Sequence, residues 1–182
     1  FSSPGAYFSE KRLQGLAATG RGLAKTHAAT LRRIEQRFGV PGEIVVAVWG
    51  RESGFGSAKI PYSAVDVLAT KAFMSTRKDM FRKELIAALH IVDGGDRTVA
   101  QLKGSWAGAL GQPQFMPTSY LQYAVDFDGD GVRDIWGSVP DSLASVANYL
   151  AKKGWQAGRS WGYEVSIPAG ASCAQEGPDL AK

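Results

Sequence analysis

The sequence predicts a mainly helical α+β fold with little strand. Apolar residues recur at spacings of three, four and seven through its first third, glycine-rich stretches separate the periodic segments, and strand-like alternation is confined to residues 162–167. The chain has 182 residues, 45% hydrophobic and 21% charged, enough apolar material for one packed core.

Between Leu13 and Phe38 the apolar positions are Leu16, Leu23, Leu31, Ile34 and Phe38, with Arg and Lys between them. Gly20 and Gly22 are poor helix residues, so the first helix is predicted over 23–38. Pro41 suits a first helical position, and Ile44, Val45, Val48 and Trp49 continue one face until Gly54 and Gly56, giving a second helix over 41–53. Further helices are predicted over 63–71, 78–92, 98–102, 117–125 and 141–153, the last opened by Asp141 and closed by Gly154. Irregular connections are expected at 54–61, 104–117 and 126–140. There is no fixed-period repeat and no low-complexity linker.

Several classes are excluded. The most apolar stretch, Ile44 to Trp49, ends at Gly50-Arg51-Glu52, far short of the ~20 apolar residues of a membrane-spanning helix. The single Cys173 forms no internal disulfide and has no zinc-ligand spacing around it. His27 and His90 are far apart in sequence and have no carboxylate at metal-ligand spacing, and Ser53 lies outside a G-x-S-x-G elbow. The formal charge is +4, and residues 1–40 hold seven Lys or Arg against Glu10 and Glu35. Such a surface attracts anionic polymers. Nucleic acid is not expected, because no zinc-finger spacing, RNP-like strand or basic helical run is present.

Three segments carry chemistry. Glu52 follows Val48 by four residues and Val45 by seven, so a helix sets it on the apolar stripe near the C-terminal end. Desolvation and the helix dipole both raise a carboxyl pKa there, and a carboxylic acid protonated near neutrality suits general-acid cleavage of an ether-like bond. The alternative is an end-of-helix glutamate turned to solvent or paired with Arg51 or Lys59. Residues 104–117, GSWAGALGQPQFMP, combine small residues with aromatics, and Ser105 and Gln114 offer the neutral hydrogen bonds that sugar hydroxyls and acetamido groups use. This stretch reads as a groove wall, or else as a tight turn whose Trp106, Phe115 and Met116 fill core. Residues 126–134, DFDGDGVRD, match the D-x-D-x-D-G calcium loop, an EF-hand-like pattern with donors at Asp126, Asp128, Asp130, Val132 (backbone) and Asp134. Gly137 replaces the bidentate acid at position 12, and Asp141 is the nearest substitute donor. A self-capped Asp/Gly turn is the alternative.

Together, WGRESGFG at 49–56, GSWAGALGQPQFMPTSY at 104–120, the Asp126 loop and SVANYL at 145–150 resemble the lytic murein transglycosylase B family over residues 23–165. The resemblance implies a lysozyme-like helical catalytic domain that cleaves the β-1,4 bond between N-acetylmuramic acid and N-acetylglucosamine and leaves a 1,6-anhydromuramoyl end. It implies that Glu52 acts first as acid and then as base, with substrate acetamido assistance. It also matches Ser105 to a serine that bonds the catalytic carboxyl, Gln114 and Phe115 to the groove, Tyr149 beside Asn148 to a tyrosine at the site, and Arg77 with Lys78 to a basic pair suited to peptide carboxylates.

The implied organisation is an N-terminal extension over 1–22, the catalytic domain over 23–165 and a truncated C-terminal tail over 166–182, because a groove-completing Ile-Thr-Arg-Tyr-Asn-type segment is not present. The expected partner is the peptidoglycan glycan strand, acted on by a periplasmic monomer whose precursor could carry a lipid anchor. No cofactor is expected for the chemistry, and calcium is expected only in a structural role. Two other readings remain at this point. One is a non-catalytic wall-binding module. The other is a hydrolytic muramidase, which would need a second carboxylate, with Asp66 and Glu43 nearest in sequence.

Overall fold

The computed structural model describes residues 9–162 together with 165, 166, 168 and 170. Seven helices occur among the described residues: α1 Glu10–Thr26, α2 Ala28–Phe38, α3 Gly42–Ser53, α4 Ala64–Met74, α5 Lys78–Asp93, α6 Pro117–Tyr123 and α7 Val139–Lys152. Two-residue strands, β1 Tyr62–Ser63 and β2 Lys103–Gly104, pair antiparallel with Tyr62 opposite Gly104 and Ser63 opposite Lys103. None of the described helices is long and apolar enough to cross a membrane.

The differences from the sequence reading have local causes. Helix α1 begins at Glu10 and runs through Gly20 and Gly22 to Thr26. Gly20 faces Phe55 and Val46, and a Cβ there would already be in contact with the Phe55 ring at 3.4 Å, so packing against α3 overrides the low propensity of glycine. The break comes at His27 instead, which ends α1 and precedes α2. Residues 98–102 form a turn and no helix. The Thr98 N–H and hydroxyl both donate to Gln101 Oε1 at 3.0 Å, and the Leu102 carbonyl accepts the Ala64 N–H at 3.0 Å, taking the segment into the sheet. The strand expected over 162–167 falls partly outside the described residues, and Gly162, Val165 and Ser166, which are described, are not in strand. The strands β1 and β2 are too short to show alternation.

Helix α7 starts at Val139, and its cap is Ser138, whose hydroxyl accepts the Asp141 N–H. Asp141 was expected to open this helix. It lies fully buried in the first turn, and its carboxylate accepts the N–H groups of Phe127 at 2.8 Å, Asp128 at 3.3 Å and Asp134 at 2.8 Å. It thereby satisfies three backbone donors of the 126–138 connection beside the core.

The buried side chains form two clusters. One joins α2, α3 and α7 through Leu31, Ile34, Val45, Trp49, Leu143 and Val146. The other joins α4, α5, α6 and the 104–117 segment through Leu68, Phe81, Ile91, Leu110, Phe115 and Tyr120. Full burial of a Leu, Ile or Phe side chain contributes about 1.5–3 kcal/mol, so each cluster is a substantial core.

Glu84 on α5 is 8% exposed and ties α5 to α6, its carboxylate accepting the Thr118 N–H at 2.9 Å and the Thr118 hydroxyl at 2.8 Å. Glu84→Ala is expected to lower stability by about 2 kcal/mol, because it leaves a helix-terminal donor without its charged acceptor. Thermal unfolding of the purified variant checks this, and an unchanged Tm would show that the contact contributes nothing.

Candidate active site

Helix α3 ends in three successive residues with positive φ, Gly54 at 57°, Phe55 at 60° and Gly56 at 78°. This turn folds the chain back on its own helix: the Phe55 ring meets Trp49 edge-on at 5.5 Å and lies so close to Gly50 that a Cβ there would be 2.6 Å away. A Cβ on Gly56 would lie 2.5 Å from Gln112 Oε1, so that glycine is required both by its conformation and by the approach of the amide. The Trp49 indole donates to the same Oε1 at 2.7 Å, while Gln112 Nε2 donates to the Trp136 carbonyl at 2.9 Å. The spacing of WGRESGFG is therefore that of a helix end clamped under a buried amide. It leaves Glu52 at the last turn.

Glu52 opens onto a cleft of about 390 Å³ lined by Val48, Pro113, Gln114, Phe115, Met116, Ser119, Val146, Tyr149 and Leu150. The cleft follows the seam between the two clusters, with Val48, Val146 and Leu150 contributed by one and Phe115, Met116 and Tyr149 by the other. Although the residue as a whole is exposed, partial burial of its carboxyl raises the Glu52 pKa above its ordinary value of 4.5, and neighbouring Arg51 offsets part of that rise. Among the described residues, Glu52 is the only carboxylate lining this cleft. The other two sequence candidates lie elsewhere: Glu43 lines a separate groove with α1, and Asp66 is in the first turn of α4.

The opposite wall is a tight hairpin. Leu110 and Phe115 exchange both backbone hydrogen bonds, at 2.7 and 3.0 Å. Gln114 has a φ of 53° and donates its side-chain amide to the Gly111 carbonyl at 2.9 Å. A non-glycine residue in that region costs on the order of 1 kcal/mol, and Gln114 lines the cleft from this backbone conformation. Phe115 packs on Tyr149 at 5.6 Å, and Tyr149 meets Tyr123 edge-on at 5.1 Å.

The structure thus gathers Glu52, Gln114, Phe115 and Tyr149 around one cavity. Ser105, Asn148, Arg77 and Lys78 do not line it. The Ser105 hydroxyl accepts the Ala107 and Ala109 N–H groups at 3.3 and 3.2 Å, closing its own turn, and Asn148 Nδ2 donates to the Tyr123 carbonyl at 2.9 Å, tying α7 to the end of α6. Arg77 and Lys78 sit at the start of α5, over the rings of Phe81 and Phe73. Ser119, Val48 and Leu150 were missed, as was the strut Gln112. A glutamine between Gly111 and Pro113, close after the apolar run Ala109-Leu110, was the available signal for the last.

In the EF-hand-like loop, Asp126, Asp128 and Asp141 each place a carboxylate oxygen within 4.8 Å of the others. Asp126 also accepts the Gly129 and Gly131 N–H groups at 2.7 and 2.9 Å. The remaining sequence candidates point to other partners. Asp130 accepts the Val132 N–H at 2.8 Å, the Val132 carbonyl accepts the Asp134 N–H at 3.0 Å, and Asp134 is paired with Arg97. Burial pushes the Asp134 carboxyl up, but bonds from the Gly137 N–H, Arg97 and the Trp136 N–H outweigh it and hold the pKa below its ordinary value. The donor set of Asp126, Asp128 and Asp141 is all oxygen, which fits a hard cation such as calcium.

The chain is 43% identical over 129 residues to membrane-bound lytic murein transglycosylase B of Escherichia coli (strain K12), a match that covers 70% of this chain and 36% of that protein. It is similar to SltB3 of Pseudomonas aeruginosa in crystal structures with NAG-NAM-pentapeptide, at 44% identity and a TM-score of 0.85 over 96% of this chain and 47% of that one, and with NAG-anhNAM-pentapeptide, at 46% identity and 0.85 over 93% and 46%. It is also similar to the Escherichia coli lytic transglycosylase Slt35 solved in complex with calcium, at 38% identity and 0.75 over 80% and 47%. The chain spans half or less of the length of these relatives. The transglycosylase SLT domain family matches residues 2–182, and the helical fold around a one-glutamate cleft is that of a chain belonging to this family.

Proposed function

We propose that this chain is the catalytic part of a peptidoglycan lytic transglycosylase. The observation that carries the reading is the single carboxylate, raised in pKa, in a cleft with apolar walls and neutral polar groups. Ordinary glycosidases place two carboxylates about the bond, one as acid and one as nucleophile or base. Among the described residues, no second carboxylate lines this cleft. A single acid suffices when the 2-acetamido oxygen of the muramoyl residue attacks C1 as the glycosidic bond breaks.

In that sequence Glu52 donates its proton to the glycosidic oxygen, which leaves as the free 4-hydroxyl of N-acetylglucosamine. The acetamido oxygen holds C1 as an oxazolinium ion. Glu52, now a carboxylate, takes the proton from the muramoyl 6-hydroxyl as that oxygen attacks C1 and displaces the acetamido group. The products are the new N-acetylglucosamine end and a 1,6-anhydromuramoyl end, with no water consumed and Glu52 protonated again. Gln114 and Ser119 offer neutral hydrogen bonds to sugar hydroxyls or the acetamido group, and Phe115 and Tyr149 form an aromatic floor. Ser105 serves by closing its turn and Asn148 by tying α7 to α6, and Arg77 and Lys78 stand ready for peptide carboxylates farther along the strand. The related SltB3 of Pseudomonas aeruginosa, crystallised with NAG-NAM-pentapeptide and with NAG-anhNAM-pentapeptide, supports a peptide-bearing strand as substrate and the anhydro sugar as product. Such a substrate implies a periplasmic site of action.

Calcium, where bound, would lie between Asp126, Asp128 and Asp141 and would supply cross-linking of the loop to α7, with no part in bond cleavage. The calcium complex of Slt35 supports this assignment.

Purified sacculi incubated with the parent chain are expected to release anhydromuropeptides on mass analysis. Glu52→Gln is expected to cut the rate at least a hundredfold while still binding the wall, since it keeps the shape and removes the proton. Reducing ends in place of anhydro ends would reject the lyase chemistry. The pH profile follows from the raised pKa: the active form carries the proton, so kcat/KM is expected to be full at acid pH and to fall on a limb lying above 4.5. A limb at or below 4.5 would show that the cleft does not desolvate this carboxyl. The thermal midpoint is expected to rise with millimolar calcium and to rise less in Asp128→Asn. No shift in the parent would remove calcium from the assignment.

A further inference from the structure

Beyond the cleft wall, the 104–115 ladder leads to a second surface. Leu110, paired with the cleft residue Phe115, also bridges to Gly104, and the turn between them is closed by the Ser105 N–H to the Ala109 carbonyl at 2.8 Å and the Gly108 N–H to the Ser105 carbonyl at 2.9 Å. Gly108 seats this turn on α4, where a Cβ would lie 2.5 Å from Leu68. The turn carries Trp106, which is 72% exposed. An indole this exposed contributes little apolar burial to folding.

Lys71 of α4 places its ammonium 4.8 Å from the centre of the Trp106 ring and 5.3 Å from that of Phe81. Arg77 lies 5.7 Å from the Phe81 ring, and Lys78 lies 5.9 Å from that of Phe73, which is 80% exposed. The ion pairs among the described residues, Arg97 with Asp134 and Arg133 with Asp96, are elsewhere. This strip therefore sets the exposed face of Trp106 beside Lys71 and Arg77, cations outside those ion pairs, with Phe81, 4% exposed, buried beneath them. Its chemical complement is a ligand with apolar sugar or peptide faces and carboxylates.

We propose that Lys71 and Trp106 are specificity-determining contacts that favour peptide-bearing over peptide-free glycan, with the indole packing on apolar atoms of the stem peptide and the ammonium pairing with one of its carboxylates. The proposal rests on the peptidoglycan reading above and gives Lys71 and Trp106 roles that the motif resemblance does not assign.

The test is calorimetric binding of one glycan oligosaccharide, with pentapeptide stems and after their enzymatic removal, to the parent chain, Lys71→Met and Trp106→Ala. The parent is expected to bind the peptide-bearing form about three- to fivefold more tightly, as a largely exposed ion pair allows, with the preference fading in high salt. Lys71→Met keeps the aliphatic stem and is expected to lower the ratio while Arg77 and Lys78 keep part of it, and Trp106→Ala to weaken the peptide-bearing complex. A parent with no preference, or a ratio untouched by either variant, would overturn the proposal. Product analysis of the parent on the same oligosaccharides separates the two readings: a preference without anhydro product rejects the reaction and leaves this site standing, whereas no binding of either form rejects both.

Discussion

The buried amide of Gln112 holds the site together. Its oxygen accepts the Trp49 indole, its nitrogen donates to the Trp136 carbonyl, and its backbone N–H donates to the Ile135 carbonyl at 2.8 Å. One side chain thereby fixes helix α3, the hairpin wall and the connection that follows the Asp loop. Each of these contacts lies in a region with little water, where a satisfied polar network specifies geometry and a half-satisfied one would be costly. The demand spreads to the neighbours: Gly56 must lack a Cβ to let the amide pass, and Gly111, where a Cβ would meet Ile135 at 2.6 Å, must lack one for the same close approach on the other side.

That constraint explains why the cleft lies where it does. The clamp bends the chain immediately after α3, so within the last helical turn Gly50 and Ser53 are buried while Arg51 and Glu52 are exposed, Glu52 at the seam between the two clusters. A carboxyl at that point meets apolar walls on the Val48 and Phe115 sides and solvent above, which raises its pKa without removing its access to ligand. Deeper burial would raise the pKa further but would shut out the glycosidic oxygen. The neighbouring Arg51 limits the rise from the other direction.

The helical character and the position of Glu52 were legible because both depend on local periodicity. The Val45, Val48, Glu52 spacing survives folding unchanged, since α3 runs unbroken to Ser53. Gln114, Phe115 and Tyr149 were legible through motif resemblance, which carries tertiary information that spacing does not. What failed depended on contacts distant in sequence. Gly20 and Gly22 suggest a break that the packing of Phe55 overrides, and Thr98 with Gln101 forms a closed turn because Leu102 is recruited to the sheet beside Ala64. The role of Gln112 needed Trp49 and Trp136 in place around it, 63 and 24 residues away.

Asp141 shows how a single such contact joins the two halves of the site. As a helix cap it would have faced solvent. Buried instead, it takes three backbone donors from the Asp loop, yet burial still outweighs them and its pKa stands above the ordinary carboxylate value. A carboxyl with a raised folded-state pKa contributes its stability below the unfolded value and loses it as pH rises through the folded value, so near neutrality ionised Asp141 is a net cost. Asp128, close by, adds to that cost by its own charge. A cation between Asp126, Asp128 and Asp141 would reverse the sign of the effect. Because Asp141 lies in the first turn of α7 and Val146, Tyr149 and Leu150 lie further along the same helix, the benefit would reach the cleft as a firmer position for its aromatic floor, with no contact between ion and substrate.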